Sequence, residues 1–231
     1  MISIRKLLSI TAILSLVFSP VTPAVATPPE TYVWSGGAGP GDTSLFNNAN
    51  WEGGQYPLAP TDNIIFASGG VTATDDSFNF EMASITFDSA VDFSVTSGFA
   101  GSSLQINEGG ITAENSAGGD RTYTVSQDIT LGASQTWTVS NSGLDTTVLA
   151  VSGAIDDGGH GYGLTKTDDG TLTLSGANTY SGDTTVTGGT LNLDYSTQNN
   201  SKLSDTAALA LGGGTLNLTG GSHTEVVAST T

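Results

Sequence analysis

The chain has 231 residues and is strongly acidic, with 22 Asp and Glu against five Lys and Arg and a formal net charge of −17. Nucleic acid and anionic membrane surfaces are disfavoured as partners, because binding phosphate groups takes clustered Lys and Arg. The sequence has no cysteine, so no disulfide stabilises the fold and stability must come from packing.

Residues 1–26 have the composition of a secretory signal peptide. Arg5 and Lys6 precede an apolar run from Leu7 to Phe18, and Ala24-Val25-Ala26 forms a small-x-small cleavage site. A membrane anchor is the alternative, but the run is shorter than the ~20 residues that span a bilayer. We predict export with cleavage after residue 26. The mature chain then has 22 acids, three bases and a formal charge of −19.

Residues 27–68 differ in composition from the rest of the chain. They hold two of the three Trp and five of the seven Pro. A stack of parallel strands exposes a bare edge at its first unit, and terminal units are atypical because they cover that edge. We interpret the segment as an N-terminal cap in which Trp34, Trp51 and Phe66 form an aromatic plug. The same Trp residues leave a second interpretation open, an aromatic platform for a sugar.

Residues 69–231 are predicted to form stacked coils. From Val71 to Ile155 the apolar residues lie mostly two apart, as in Leu104 and Ile106, and glycines occupy the gaps. This alternation is typical of strands with one face inside and one outside. No window after the signal peptide shows a sustained 3.6-residue pattern, so we predict no helix and a single domain of strands.

The most informative pattern is Gly-Thr-Leu-x-Leu, which begins at Gly170, Gly189 and Gly214, at spacings of 19 and 25 residues. Such periods indicate stacked units, none of which buries its apolar face alone. An antiparallel sandwich would also have short strands and frequent turns. A parallel β-helix, however, repeats the same segment once per coil, so the pattern favours the helix. The Leu residues at alternate positions should then be interior, and the Thr and Asn between them exterior.

A longer set of residues within 163–193 carries a family resemblance: Leu164, Lys166, Gly170, Thr171, Leu172, Leu174, Gly176, Asn178, Thr179, Tyr180, Gly182, Thr184, Val186, Gly189, Thr190 and Leu191. With these residues the segment resembles the autotransporter-associated β-strand repeat, also called the passenger-associated transport repeat. A degenerate copy follows at residues 207–227. The chain departs from the family at Asp168, where Gly is usual, so this residue must avoid a positive φ or tolerate it.

The repeat belongs to passengers of bacterial autotransporters and to related large surface proteins. We therefore predict an all-β fold, a right-handed parallel β-helix (β-solenoid) with an N-terminal aromatic cap. The resemblance implies a non-enzymatic, adhesin-like structural segment, secreted or displayed at the bacterial cell surface and associated with the outer membrane. A carbohydrate-binding or carbohydrate-cleaving β-helix is the alternative function.

The resemblance also implies partners. They are the outer-membrane translocation machinery or a C-terminal β-barrel, which this sequence lacks, since nothing after Leu218 shows repeated ten-residue amphipathic strands. The coil around Leu209 to Leu218 has no evident cap, so we expect these residues to be part of a longer passenger. A surface glycan and self-association are further candidates, and nucleic acid is not.

Three pairs of neighbouring acids are the candidates for glycoside hydrolysis: Asp75-Asp76, Asp156-Asp157 and Asp168-Asp169. Neighbours on a strand face opposite sides, and adjacency is more typical of solvated turns. The two histidines, His160 and His223, lie in Gly-rich turns, and the sequence has no Gly-x-Ser-x-Gly elbow. We predict no catalytic residue.

The segment from Asp156 to Gly163 resembles the calcium-binding turns of nonapeptide β-helices. Gly163 stands where an Asp is expected, and the segment does not recur nine residues later. Lys166 and Tyr180 could act on an acidic surface, but such residues more often lie along the coil or satisfy local acids. We predict no metal site and no cofactor.

Overall fold

The computed structural model describes residues 28–37, 42–57, 59–67, 72–75 and 79–231. The predicted signal peptide and Asp76 lie outside this part of the chain. Two single-turn 3-10 helices, Asn48–Asn50 and Glu52–Gly54, are the helical elements of the described residues. Within those ranges, no helix is long and apolar enough to cross a membrane.

The remaining elements are strands, most of them three to five residues long, because Gly, Asn, Asp and Ser interrupt the apolar alternation and turn the chain. The strands are β1 (Thr31–Trp34), β2 (Asn63–Phe66), β3 (Thr72–Asp75), β4 (Asn79–Phe87), β5 (Phe93–Ser97), β6 (Ser103–Ala113), β7 (Arg121–Val125), β8 (Asp128–Leu131), β9 (Gln135–Val139), β10 (Thr147–Val151), β11 (Ile155–Asp156), β12 (Leu164–Thr167), β13 (Thr171–Leu174), β14 (Thr184–Val186), β15 (Thr190–Asp194), β16 (Ala208–Leu211), β17 (Thr215–Thr219) and β18 (Ser229–Thr230).

Paired strands are parallel throughout the described structure and form two sheets. One sheet follows the path β1-β2-β4-β6-β9-β12-β14-β16-β18, with β8 and β11 branching from β6. The other has seven strands in the order β17-β15-β13-β10-β7-β5-β3. Because strands that neighbour each other in space lie one coil apart in sequence, the predicted all-β parallel β-helix is confirmed.

The branch shows that the coils have three sides. The first half of β6 pairs with β8 and its second half with β9. β4 pairs along both halves of β6, and its register shifts between Met82 and Ser84. Both long strands therefore bend across a corner. We call the nine-stranded path from β1 to β18 the long face, the seven-stranded sheet the second face, and β8, β11 and the first halves of β4 and β6 the short face.

The interior is built from columns of identical or similar side chains. On the second face Leu149, Leu172 and Leu191 occupy successive levels of one column, and Leu174 pairs with Leu193 in the next column. All five leucines are completely buried, as the alternation predicts for the repeat. Burying one such side chain contributes about 1.5–3 kcal/mol. Stacking equal residues at equal levels therefore gives each coil a matching apolar surface above and below.

Aromatic rings fill the first coils, where leucines are scarce. The Trp34 and Trp51 rings lie 5.2 Å apart and perpendicular, and Phe66 lies 6.0 Å from Trp34. The Trp51 indole donates a hydrogen bond to the carbonyl of Leu45 at 2.8 Å. Trp34 and Trp51 are 0% and 3% exposed. The plug predicted from these residues is formed, and the alternative interpretation of the two Trp as a sugar platform is wrong because neither ring face is accessible. The boundaries of the cap at 27–68 stay a prediction.

The other end of the stack is more open. On the second face β17 pairs with β15 on one side, and no described strand lies on its other side. Its interior residue Leu216 is half-buried, while Leu218 is 45% exposed and Leu211 of the long face 39% exposed. The interior columns thus reach the surface at this end of the described structure.

The assignment of inside and outside predicts different costs for neighbouring substitutions. Leu191→Asp places an unpaired carboxylate in the stack and should lower the free energy of unfolding by about 4 kcal/mol or more. Thr190→Asp, whose side chain is half-exposed, should cost less than about 1 kcal/mol. Circular dichroism and limited proteolysis compare the two variants. Equal losses of structure would contradict the assigned register.

Candidate functional site

The repeat encloses Lys166, which is an interior residue. It lies on the long face in the same column as Trp137 and Val186, and it is 1% exposed. Its ammonium group lies at the corner where the chain passes to the second face. Burial lowers the pKa of Lys166 to about 8, although the charges of Asp168 and Asp169 oppose this. The Nζ atom donates to three carbonyl oxygens, those of Thr167 (2.6 Å), Asp168 (2.7 Å) and Gly188 (3.3 Å). Lys166 therefore links two coils.

Asp168, which stands where the repeat usually has Gly, lies at the same corner and adopts the backbone conformation that Gly would have. Asp168 has φ of 62°, in the left-handed region where Gly is favoured. Aspartate is among the few side chains that adopt this conformation as single residues. The carboxylate of Asp168 accepts a hydrogen bond from Ser140 Oγ at 2.7 Å, which ties the turn to the preceding coil.

Asp157 organises the Gly-rich turn that resembles a calcium site. Its carboxylate is 1% exposed and accepts five hydrogen bonds, from the backbone N–H groups of Gly159 (2.9 Å), Gly161 (2.8 Å), Tyr162 (3.0 Å) and Ser181 (3.1 Å) and from Ser181 Oγ (2.8 Å). Burial alone would raise the pKa of Asp157, but the hydrogen bonds lower it below its usual value. Both oxygens of the Asp157 carboxylate accept hydrogen bonds, and the hydrogens of these donors would repel a cation. The turn is therefore organised around the negative charge of Asp157 itself.

The predicted acid pairs are not brought together as catalytic carboxylates. Asp75 is buried and accepts a hydrogen bond from Gln127 Nε2. Asp156 is exposed and Asp157 buried, so that the pair faces opposite sides as strand geometry predicts. Asp169 accepts the backbone N–H of Asn141 at 2.9 Å. Each described member of the pairs therefore accepts hydrogen bonds from neighbouring backbone or side-chain groups.

The two histidines have separate surroundings. His160 Nδ1 contacts the carbonyl of Asp157 at 2.8 Å, and its ring stacks on Tyr162 with centroids 5.3 Å apart. His223 stacks on Tyr195 at 4.8 Å and lies 3.7 Å from a carboxylate oxygen of Glu225. His223 Nε2 also contacts Ser201 Oγ at 3.4 Å. The carboxylate and the hydroxyl thus approach the same ring nitrogen, whereas a hydrolytic triad places them on opposite nitrogens. Within the described ranges, no group of three His, Asp or Glu is placed to hold a metal ion.

A cluster at the last coils was not visible in the sequence. Glu225 accepts the backbone N–H groups of Lys202 at 3.0 Å and Leu203 at 2.7 Å, and the Tyr195 hydroxyl donates to it. Burial, followed by the contact with Glu225, raises the pKa of Tyr195. The Lys202 ammonium is fully buried and donates to the oxygens of Ser175 (2.9 Å), Gly176 (3.1 Å), Gln198 (3.1 Å) and Asn200 Oδ1 (3.0 Å). The partners are up to 30 residues apart in sequence, and no local motif announces them.

Corner aspartates form a second set of inter-coil contacts that the sequence did not indicate. Their carboxylates accept backbone N–H groups from an adjacent coil, 24 to 30 residues away. The pairs, acceptor first, are Asp88 with Ser116, Asp92 with Thr122, Asp120 with Thr146, Asp128 with Ala154, Asp145 with Gly119, Asp157 with Ser181, Asp169 with Asn141, and Asp183 with Ala208. Eight of the 22 acidic residues thus connect neighbouring coils.

An open cleft of about 520 Å³ runs along the corner between the short and long faces. Its lining includes Pro29, Pro60, Asn107 and Glu108. Asn107 Nδ2 donates to the carbonyl of Pro60 at 3.0 Å. Glu108 is the one carboxylate among the lining residues, whereas glycoside hydrolysis takes two across a bound sugar.

Comparison with known proteins gives a family match for one segment of the chain. Residues 164–193 match the model of the passenger-associated-transport-repeat. The predicted repeat is confirmed. The chain is also similar to the adhesin BmaC autotransporter of Brucella suis biovar 1, with 36% identity over 145 residues. That alignment covers 58% of this chain and 4% of the relative, so the chain spans a small part of the relative's length. The comparison with solved structures gives no significant match.

The anion-centred turn at Asp157 predicts sensitivity to acid. Because the folded pKa lies below the unfolded one, the carboxylate stabilises the fold above about pH 4, and this contribution is lost as the pH falls through the lowered pKa. Asp157→Ala should lower the thermal midpoint at neutral pH and have a smaller effect once the pH falls below the lowered folded-state pKa. Asp156→Ala, which removes an exposed carboxylate, is the control. A difference between wild type and Asp157→Ala that is constant with pH would contradict the assignment.

Proposed function

We propose that the chain is an adhesin-like structural segment of an autotransporter-type passenger, secreted or displayed at the bacterial cell surface. The passenger-associated-transport-repeat at residues 164–193 carries the proposal. The parallel coils, which form a rigid rod with an apolar interior, support it, as does the similarity to an autotransporter adhesin. In this role the coils hold surface loops at a distance from the cell.

A non-enzymatic role is supported by the contacts that the candidate catalytic groups already make within the fold. Asp157 is enclosed by five donors, and Lys166 by three carbonyl oxygens. His160 and His223 stack on tyrosines. The Asp157 carboxylate is buried and all three N–H groups of Lys166 are used, so neither group is available to a substrate. A reducing-sugar assay on a panel of polysaccharides should accordingly give no product.

The proposed route to the surface passes through a signal peptide and an outer-membrane translocation step. The basic start and the Ala24-Val25-Ala26 site support cleavage after Ala26. A β-barrel translocator elsewhere in the full-length protein is the expected partner, because autotransporter passengers are carried by one.

Export is tested by expressing the full sequence in a Gram-negative host and measuring the mass of the product. The expected mature chain begins at Thr27. Ala26→Pro, which disturbs the cleavage site but leaves the basic start and the apolar run, should accumulate uncleaved precursor. Recovery of intact Met1 on the wild-type product would overturn the predicted cleavage.

Self-association through the open edge is a further proposal. The exposed edge of β17 and the exposed side chain of Leu218 favour pairing with a second chain, and the charge of the protein opposes it. Salt screens that charge, so sedimentation of the mature chain should show more association at high salt. Leu218→Lys should reduce it. A monomer at both salt concentrations would contradict the proposal.

A further inference from the structure

One corner of the coils carries loops of two very different lengths. Where the long face turns into the second face, the N-terminal coils use residues 88–92, 114–120 and 140–146, whereas the later coils use the three-residue turns 168–170, 187–189 and 212–214. Three residues are thus enough to make the corner. The three longer loops add residues on neighbouring coils, many of them exposed, and together we call these loops the loop ridge.

The ridge is held in one conformation by contacts between its loops. Asp88 accepts the N–H of Ser116 at 2.9 Å, and Asp145 accepts the N–H of Gly119 at 2.6 Å. Asp120 accepts both the N–H and the Oγ hydrogen of Thr146, at 2.9 and 3.0 Å. Loops that are ordered before binding lose little conformational entropy when a partner docks. The ridge therefore has the rigidity of a recognition surface.

The ridge also presents an apolar side chain to solvent. Leu144 is fully exposed, at the tip of a turn closed by a hydrogen bond from Asp145 N–H to the Ser142 carbonyl at 3.0 Å. Gly143 has φ of 65°, which a larger residue would rarely adopt. Val91, on the first loop, is 45% exposed. A single exposed leucine is ordinary, but Leu144 is more exposed than Leu218 (45%) or Leu211 (39%), and a constrained turn holds it at the surface.

The surroundings of Leu144 are negative. Asp92, Glu114, Asp120 and Asp145 lie on or beside the loops. Arg121, which directly follows the second loop, donates from Nη1 to the carbonyl of Asp120 and from Nη2 to that of Gly118, so these donors are directed at the ridge itself. A partner that approaches this corner meets carboxylates around an apolar tip.

We propose that the loop ridge is a docking surface for a protein partner that offers an apolar pocket bordered by Arg or Lys. Leu144 enters the pocket, Val91 contacts its edge, and the acids pair with the bordering bases. The inference rests on the proposed function, since an adhesin-like segment is where a recognition surface would be displayed. Charge complementarity and a rigid apolar anchor are the features that determine affinity at such interfaces.

The test uses the mature chain as bait for a phage-displayed library of random peptides. We expect selected peptides to combine aromatic or aliphatic residues with Arg or Lys, and their affinity to fall at high salt. Leu144→Ser should weaken synthetic versions of these peptides by about tenfold or more, because the buried apolar area is lost. Val91→Ser should have a smaller effect. Both side chains are exposed, so circular dichroism should show unchanged folding.

Val226→Ser is the matched control, because Val226 is 51% exposed but lies near the other end of the stack. Its affinity for the peptides should equal that of the wild type. Selection of no peptide, or peptides that bind Leu144→Ser as tightly as wild type, would overturn the docking surface. Surface display is scored separately, by protease accessibility on intact cells. Display with no ridge-dependent binding would refute this inference alone, whereas absence of display would refute the proposed function.

Discussion

The stack depends on acceptors for the backbone N–H groups at its corners. Strand pairing satisfies the flat faces, but where a coil turns, the N–H groups point away from the ladder and need another partner. Aspartates of the adjacent coil supply it, as in Asp120 with Thr146 and Asp157 with Ser181. Each such contact fixes the position of one coil relative to the next. Hydrogen bonds to ionised acceptors are also stronger than neutral ones, so the corners add stability as well as register.

The distribution of charge follows from this arrangement. Outward positions of the long face in its central strands are uncharged threonines, such as Thr136, Thr165 and Thr185, which pair at successive levels. The acids are concentrated at the corners, where the free N–H groups are. Two buried ammonium groups perform the converse task, since Lys166 and Lys202 gather carbonyl oxygens that the turns leave without donors. The carboxylates thus bind N–H donors and the ammonium groups bind carbonyl acceptors, in both cases between neighbouring coils.

The sequence predicts the parts of the fold that repeat locally. Leu172 and Leu191 could be placed inside because Gly-Thr-Leu-x-Leu recurs and alternates, and the aromatic plug followed from the composition of the first segment. The three-sided form of the coil was not predicted, because β4 and β6 each run along two sides while β8 and β11 are separate strands of the short face. The number of apolar runs therefore does not give the number of sides. The acids were interpreted as solvated turn residues. Their position in turns is correct, but their role depends on contacts between residues 24 to 30 apart, which no local pattern shows.

The burial of the lysines changes how the folded chain meets proteases and reagents. After the predicted signal peptide the sequence has two lysines, and both side chains are at most 1% exposed. Arg121 is then the one accessible basic side chain, and its guanidinium is bound to backbone carbonyls. Trypsin-like enzymes and amine-directed reagents therefore find almost nothing to attack on the intact rod. Once a coil opens at Lys166 or Lys202, a cleavable bond and a reactive amine appear together, so digestion or labelling at these two residues reports on the integrity of the C-terminal coils.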